Sequence, residues 1–187
     1  FQYMVVRSDG VVKKISDLYS EKVLHKDDQW EPMKVDPTLM DYPSQGDGYV
    51  TVIQTAKPEY QWSDATLNFK RPNKNNLVIY EAWVYDHTVT RDIKGMTDRM
   101  FYYKDLGINA IELMPVQEFD GNLNWGYSPN HYFALDKAYG TPDQFKEFVD
   151  SCHAAGIAVI LDMVFNHATG LNPMNKLYPY GTELSKN

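Results

Sequence analysis

One cysteine in 187 residues, Cys152, excludes an internal disulfide and leaves no thiol pair for redox work. Its neighbours Phe145, Phe148 and Val149 mark it as a small core residue. Basic residues are also scarce. The 18 Lys and Arg stand against 25 Asp and Glu, for a formal charge of −7. No cluster among them could neutralise a run of phosphates, so nucleic acid is not an expected partner. Long apolar runs are lacking too. The longest apolar or small-residue stretch, Ala154 to Leu161, stops at Asp162, far short of the roughly 20 residues that a membrane-spanning helix needs. Residues Phe1 to Gly10 carry no basic head, no long apolar stretch and no initiator Met, which leads us to expect a processed chain or a piece of a longer one. What the chain does have is apolar material, 43% of its residues, and aromatics, 14%, ample for a buried core.

Two halves differ in pattern. Up to about Asn76 the sequence reads as β structure. Val5-Val6 and Val11-Val12 flank Ser8-Asp9-Gly10, a hairpin signal, and Tyr49 to Gln54 alternates its side chains. Pro32, Pro37, Pro43 and Pro58 and the stretch Gln45-Gly46-Asp47 punctuate this half with turns. It reads as part of a β-sandwich. The polar run Arg71 to Asn76 reads as a connection between domains, with residues 1–76 before the boundary and 77–187 after it.

Beyond Asn76 the pattern becomes strand, helix, strand, helix, strand. Leu77 to Val84, Ile108 to Val116 and Ile157 to Val164 are nearly continuous apolar runs, as parallel strands covered on both faces require. Met96, Met100, Tyr103 and Leu106 recur at helical spacing before Gly107. The second helix is signposted by Thr141 as cap, Pro142 in the first turn, Gln144 closing a capping box, and Gly156 as the stop. Right-handed crossovers put the C-terminal ends of the three strands on one side, where parallel α/β folds carry their chemistry.

Two segments follow those ends. Gln117 to Phe133 is a long aromatic and amide-rich connection containing Trp125, Tyr127, Asn130 and His131, and loops of this length are usually functional. Its composition suits a sugar, whose ring offers an apolar face for stacking and hydroxyls for amide, imidazole and carboxylate groups. Past the third strand, Asp162, Asn166 and His167 bring a carboxylate, an amide and an imidazole into one short stretch. Taken singly, each has a plainer reading: Asp162 as a cap, and Trp125 or Tyr127 as packing.

Four ordered motifs bear on that choice. They are Val78-Ile79-Tyr80-Glu81-Ala82-Trp83-Val84-Tyr85-Asp86-His87-Thr88, Leu106 to Val116, Trp125-Gly126-Tyr127-Ser128-Pro129, and Asp162-Met163-Val164-Phe165-Asn166-His167. In order and spacing they resemble the α-amylase superfamily, glycoside hydrolase family 13. The first motif is most similar to its branching and debranching members, which carry a β-sandwich before the barrel. Ser16 to Tyr19, and Val35 ahead of a Pro-rich run, resemble the end of such a domain. The resemblance implies a (β/α)8 barrel of which about strands one to three are present, acting on α-1,4- or α-1,6-linked glucan by retaining hydrolysis or transfer. It implies that Tyr127 stacks on the sugar at the cleavage subsite, that His167 hydrogen-bonds a hydroxyl of that sugar, and that Asp162 organises the charged floor. Asn166 matches a position that in some members binds calcium, so calcium is allowed, and no cofactor is required.

Retaining chemistry needs a carboxylate nucleophile and a carboxylic acid about 5 Å apart. The resemblance assigns these to strands four, five and seven, whereas Leu77 to Asn187 is less than half of the roughly 250 residues of a whole barrel. Glu81 and Glu112 lie inside apolar strands and match no catalytic position. We therefore expect a fragment holding half of a substrate site and none of the catalytic carboxylates. The fragment is expected to be inactive alone and prone to self-association. Two other classes stay open: a stand-alone glycan-binding protein, and a nucleotide-binding α/β protein, although no Gly-rich phosphate loop follows any of the three strands.

Overall fold

A computed structural model of the chain describes residues 1–29 and 36–186. Pro32 and Val35, assigned above to the N-terminal half, lie outside the described residues. The strands and helices run in the order β1 (Tyr3–Val6), β2 (Val12–Ile15), β3 (Val23–Leu24), β4 (Val50–Thr51), α1 (Asp64–Leu67), β5 (Ile79–Ala82), α2 (Val84–His87), α3 (Ile93–Thr97), α4 (Met100–Asp105) and β6 (Ala110–Leu113). They continue with β7 (Gln117–Phe119), β8 (Pro129–Leu135), α5 (Pro142–Ala154), β9 (Ala158–Leu161) and α6 (Pro173–Leu177). The chain divides into two compact units. One comprises Phe1–Ala56, Gln117–Ala138 and Val164–Asn187; the other, Lys57–Val116 and Tyr139–Met163.

The second unit holds the expected βαβαβ core. Strands β5, β6 and β9 form a parallel sheet in that order, with Ala82, Leu113 and Leu161 in register at the C-terminal edge. The strands are shorter than the apolar runs. Val84, read as the end of the first strand, instead opens α2, with Trp83, still in extended backbone, as its N-cap. The single helix expected over 96–106 is two: α3, whose N-cap Asp92 accepts a hydrogen bond from the Gly95 amide at 2.7 Å, and α4, separated where Arg99 leaves helical backbone. The spacing still works across the break, since Met96 and Tyr103 are both buried. Helix α5 follows its signals closely. Thr141 and Gln144 close the capping box, with Pro142 in the first turn. Phe148 and Cys152 are fully buried, and burial pushes the Cys152 thiol up to about 12, as a core residue requires.

Residues 57–76 belong with this sheet rather than with the N-terminal half. The Asp150 carboxylate on α5 accepts from the Ser63 amide at 3.1 Å and from the hydroxyls of Ser63 at 2.7 Å and Thr66 at 2.5 Å. Phe69 stacks on His153 at 3.9 Å. The polar run expected to be a boundary is an ordered one-turn connection, in which the Asn73 side chain accepts from the Asn75 amide. The contacts therefore do not break at Asn76.

Among the described residues, the first unit contains three antiparallel ladders: β1–β2, β3–β4 and β7–β8. The hairpin is where Ser8-Asp9-Gly10 puts it, with Gly10 at a φ of 80° supplying the left-handed turn residue. The alternating run at 49–54 gives only Val50–Thr51, paired with Val23–Leu24. The stretch 117–133 is not one open loop. Its two ends pair as β7 and β8 with shifts in register. The sequence hid β8 because its buried positions include Asn130 and His131, which no alternation of apolar residues marks.

Both outer strands of the parallel sheet, β5 and β9, lack a further neighbour among the described residues. Val78, Ile79 and Leu161 are exposed. A cleft of about 730 Å³ beside β9 is lined by Phe69, Leu77, Val159 and Ile160 among others. Bare apolar edges pair with other copies. The isolated chain should therefore run as oligomers in size-exclusion chromatography with light scattering, and a stable monomer at micromolar concentration would refute this.

Candidate sugar-binding site

In the parallel sheet, the residues just past the strand ends are Trp83, Met114 and Asp162. The Trp83 indole N–H donates to the Tyr139 hydroxyl at 2.9 Å. The Asp162 amide donates to the Leu113 carbonyl at 3.0 Å, extending the β6–β9 pairing by one step and fixing the backbone from which a half-buried carboxylate projects. Glu81 and Glu112 are register partners on β5 and β6. They lie short of the strand ends, where two side chains alternate with the Tyr80 and Ala82 face, so they are not placed as a catalytic pair.

Tyr127 and His167 meet in the other unit. The Trp125-Gly126-Tyr127 turn is set by the Asn124 side chain, which accepts from the Gly126 amide at 2.9 Å. Gly126 sits at a φ of 94°, a conformation that favours glycine. The Asp120 amide donates to the Ser128 carbonyl at 2.9 Å and closes the loop. Tyr127 remains 37% exposed and Trp125 is more so. The His167 ring Nε2 lies 2.7 Å from the Tyr127 carbonyl oxygen. A carbonyl only accepts, so Nε2 carries the hydrogen, and Nδ1 is the acceptor in the neutral ring. The Tyr132 hydroxyl donates to the His167 carbonyl at 3.0 Å, so both the ring and the backbone of this histidine are held. Phe165 packs on Tyr132 at 5.8 Å. Asn166 is exposed.

Behind this loop lies a buried polar layer that the sequence did not reveal. Asn130, fully buried, donates to the Tyr49 hydroxyl at 3.1 Å and accepts from Thr169; its carbonyl accepts from the Asn172 side chain at 2.7 Å. The segment carrying His167 is thereby tied to β8. His131 pairs with the Ser16 hydroxyl at 2.8 Å, and burial lowers its pKa to about 3, so it is a neutral core histidine rather than a titrating one. Lys137 contacts Glu118 and, at 3.3 Å, Asp28, all three buried. Asp136 accepts from the amides of Phe119 at 3.1 Å and Ala138 at 2.8 Å. Burial would lower the Lys137 pKa, but the surrounding carboxylates outweigh it and keep the ammonium charged. Burial raises Glu118 against the pull of Lys137, and raises Asp136 to about 6. One cation among three buried acids favours a retained proton on the carboxylates. The sequence signal for this layer is faint: polar residues bracketing a strand on both sides look like loop.

Among the described residues, no group of three or more His, Cys, Asp or Glu side chains is placed to hold a metal ion. Asn166 offers one amide oxygen, so these residues do not of themselves make the calcium site that the resemblance allows.

A family model described as the alpha amylase catalytic domain matches residues 59–176. The malto-oligosyltrehalose trehalohydrolase of Saccharolobus solfataricus is 34% identical over 185 residues, covering 98% of this chain and 31% of that protein. A 1,4-alpha-glucan branching enzyme of Xanthomonas oryzae pv. oryzae is 37% identical over 145 residues, covering 73% of this chain and 20% of that enzyme. Among solved structures, a Salmonella typhimurium protein described as an alpha amylase matches with a TM-score of 0.68 at 30% identity, over 94% of this chain and 26% of that one. The Group B Streptococcus pullulanase matches in fold, with a TM-score of 0.64 at 24% identity, over 94% of this chain and 26% of its own. The chain thus spans less than a third of the curated relatives it matches. The matched stretch takes in β5, β6 and β9, the Trp-Gly-Tyr loop and the segment from Asp162 to His167, and the chain belongs to the α-amylase family, as part of its (β/α)8 catalytic domain.

Proposed function

We propose that the chain is the opening part of the catalytic barrel of a retaining α-glucan hydrolase or transglycosylase, and that it carries part of the substrate site without the catalytic carboxylates. The observation that carries this reading is the 2.7 Å hydrogen bond from His167 to the Tyr127 carbonyl, which joins two positions far apart in sequence into one sugar-sized locus. Tyr127 presents its ring as a stacking platform for the glucose being cleaved. His167 orients a hydroxyl of that glucose, its own ring fixed by the bond it donates. In the other unit, Asp162 follows the end of β9 and is the acidic position that the resemblance implies, where negative charge suits the oxocarbenium-like chemistry. The nucleophile and general acid come from later strands of the longer protein. Residues 1–56 are read as the end of a β-sandwich. This is supported by Met4, Val6 and Val12, which share one face of the β1–β2 hairpin and are all exposed, as a sheet face awaiting a facing sheet would be.

Hydrolysis is favoured over branching by the near-complete coverage of this chain by a relative named as a trehalohydrolase. In the full-length protein, Tyr127→Ala should lower kcat/KM on maltoheptaose by about 1 to 3 kcal/mol, the scale of a lost aromatic platform. Unchanged kinetics would remove the stacking role.

A further inference from the structure

The backbone of the loop Ser16 to Ser20 is held by a set of hydrogen bonds that leaves the side chain at its tip free of them. The Ser16 hydroxyl holds His131. The Asp17 amide donates to the Thr51 hydroxyl at 2.8 Å, and the Ser20 hydroxyl bonds both the Asp17 carbonyl at 2.6 Å and Thr51 at 2.7 Å. Ser16, Ser20 and Thr51 are all buried. Tyr19 alone is thrust outward, 72% exposed, and its ring lies 5.4 Å from that of Phe133, itself 58% exposed on β8, at an angle of 31°. The Asp17 carboxylate accepts from the Tyr19 amide at 2.9 Å and from the hydroxyl of Tyr3 at 3.2 Å, and Tyr3 is 48% exposed. Tyr19 and Phe133 thus form an exposed tilted pair, and the Asp17 carboxylate joins the backbone of Tyr19 to the hydroxyl of a third exposed ring, Tyr3.

Leaving rings of this size in water forgoes their burial, and a rigid mount makes the exposure a fixed feature of the loop. Tilted rings in tandem offer apolar faces to successive sugars of a curved chain, and Asp17 offers an acceptor for hydroxyls. A coiled α-linked glucan fits a tilted pair; a flat β-linked chain does not. Resting on the α-glucan reading above, we propose that Tyr19, Phe133 and Tyr3, with Asp17, form an accessory binding site for an α-linked glucan chain, separate from the Tyr127–His167 locus.

The test is affinity electrophoresis of the full-length protein through gels containing glycogen, with turnover of maltotriose-sized substrates measured in parallel. The wild type should be retarded by glycogen and not by a soluble β-glucan. Tyr19→Ala and Phe133→Ala should each raise the apparent dissociation constant about tenfold, leaving turnover of the short substrate within about twofold, since neither residue touches the reacting sugar. Tyr19→Trp, which keeps a platform, should stay retarded. A wild type that turns over α-glucan but is not retarded, or alanine variants retarded like the wild type, would overturn the accessory site. A protein inactive on every α-glucan, yet retarded in a Tyr19-dependent way, would overturn the functional reading and leave this site standing.

Discussion

Lys137→Met is expected to destabilise the fold by about 3 to 5 kcal/mol, the scale of a buried ion pair stripped of one partner. Lys137 is the single cation among Glu118, Asp28 and Asp136, and all four are buried. Without it, Glu118 keeps no partner for its carboxylate, since its second oxygen already has none. The sign with pH follows from the carboxylates. The folded pKa values of Glu118 and Asp136 stand above the unfolded ones, burial being the cause, and rise further once the cation is gone, so the folded variant binds more protons than the unfolded chain across the neutral range. Its stability therefore falls as pH rises, and the loss relative to wild type should be smaller at pH 5 than at pH 8. Adding Glu118→Leu should recover part of the loss, because a neutral apolar pair of similar volume needs no desolvated charge. Urea midpoints at the two pH values measure all of this. A loss under about 1 kcal/mol at both would mean that the cluster is open to water rather than buried.

His167→Ala in the full-length protein should reduce kcat by about 10- to 100-fold, with a smaller rise in KM. Two effects combine. A hydrogen bond to the sugar is expected to strengthen as the ring flattens toward its oxocarbenium-like transition state. In addition, the variant removes the donor that holds the Tyr127 carbonyl at 2.7 Å, so the stacking loop loses its tether. His167→Gln keeps a donor of similar reach and should recover the KM component before the kcat component. If only KM changes in both variants, His167 serves ground-state binding alone.

The parallel core and its best helix were legible because each rests on local chemistry. Thr141, Pro142 and Gln144 specify a helix start by hydrogen bonds they make among themselves, and apolar runs specify strands covered on both faces. Tyr127 and His167 were candidates from loop composition, strand-end position and the resemblance, but neither spacing nor composition says that residues forty apart in sequence share a hydrogen bond. What stayed hidden was the polar interior of the first unit. Asn130, His131, Glu118 and Lys137 look like surface residues because hydropathy treats a buried polar group as an exposed one. For the same reason Gln117 to Phe133 read as loop although its two ends are paired strands. Helix α2 was missed because Val84 continues the apolar run and Trp83, its N-cap, keeps extended backbone and makes no side-chain cap bond that would mark a helix start.

The central claim is that these residues bind part of an α-glucan while the bond-breaking carboxylates lie elsewhere in the longer protein. The change in iodine-stained soluble starch with time tests it most directly, because α-1,4 hydrolysis and branching transfer both lower the stain. The account predicts a steady fall with the full-length protein and none with the 187-residue chain at the same concentration. A fall produced by the 187-residue chain alone would contradict it.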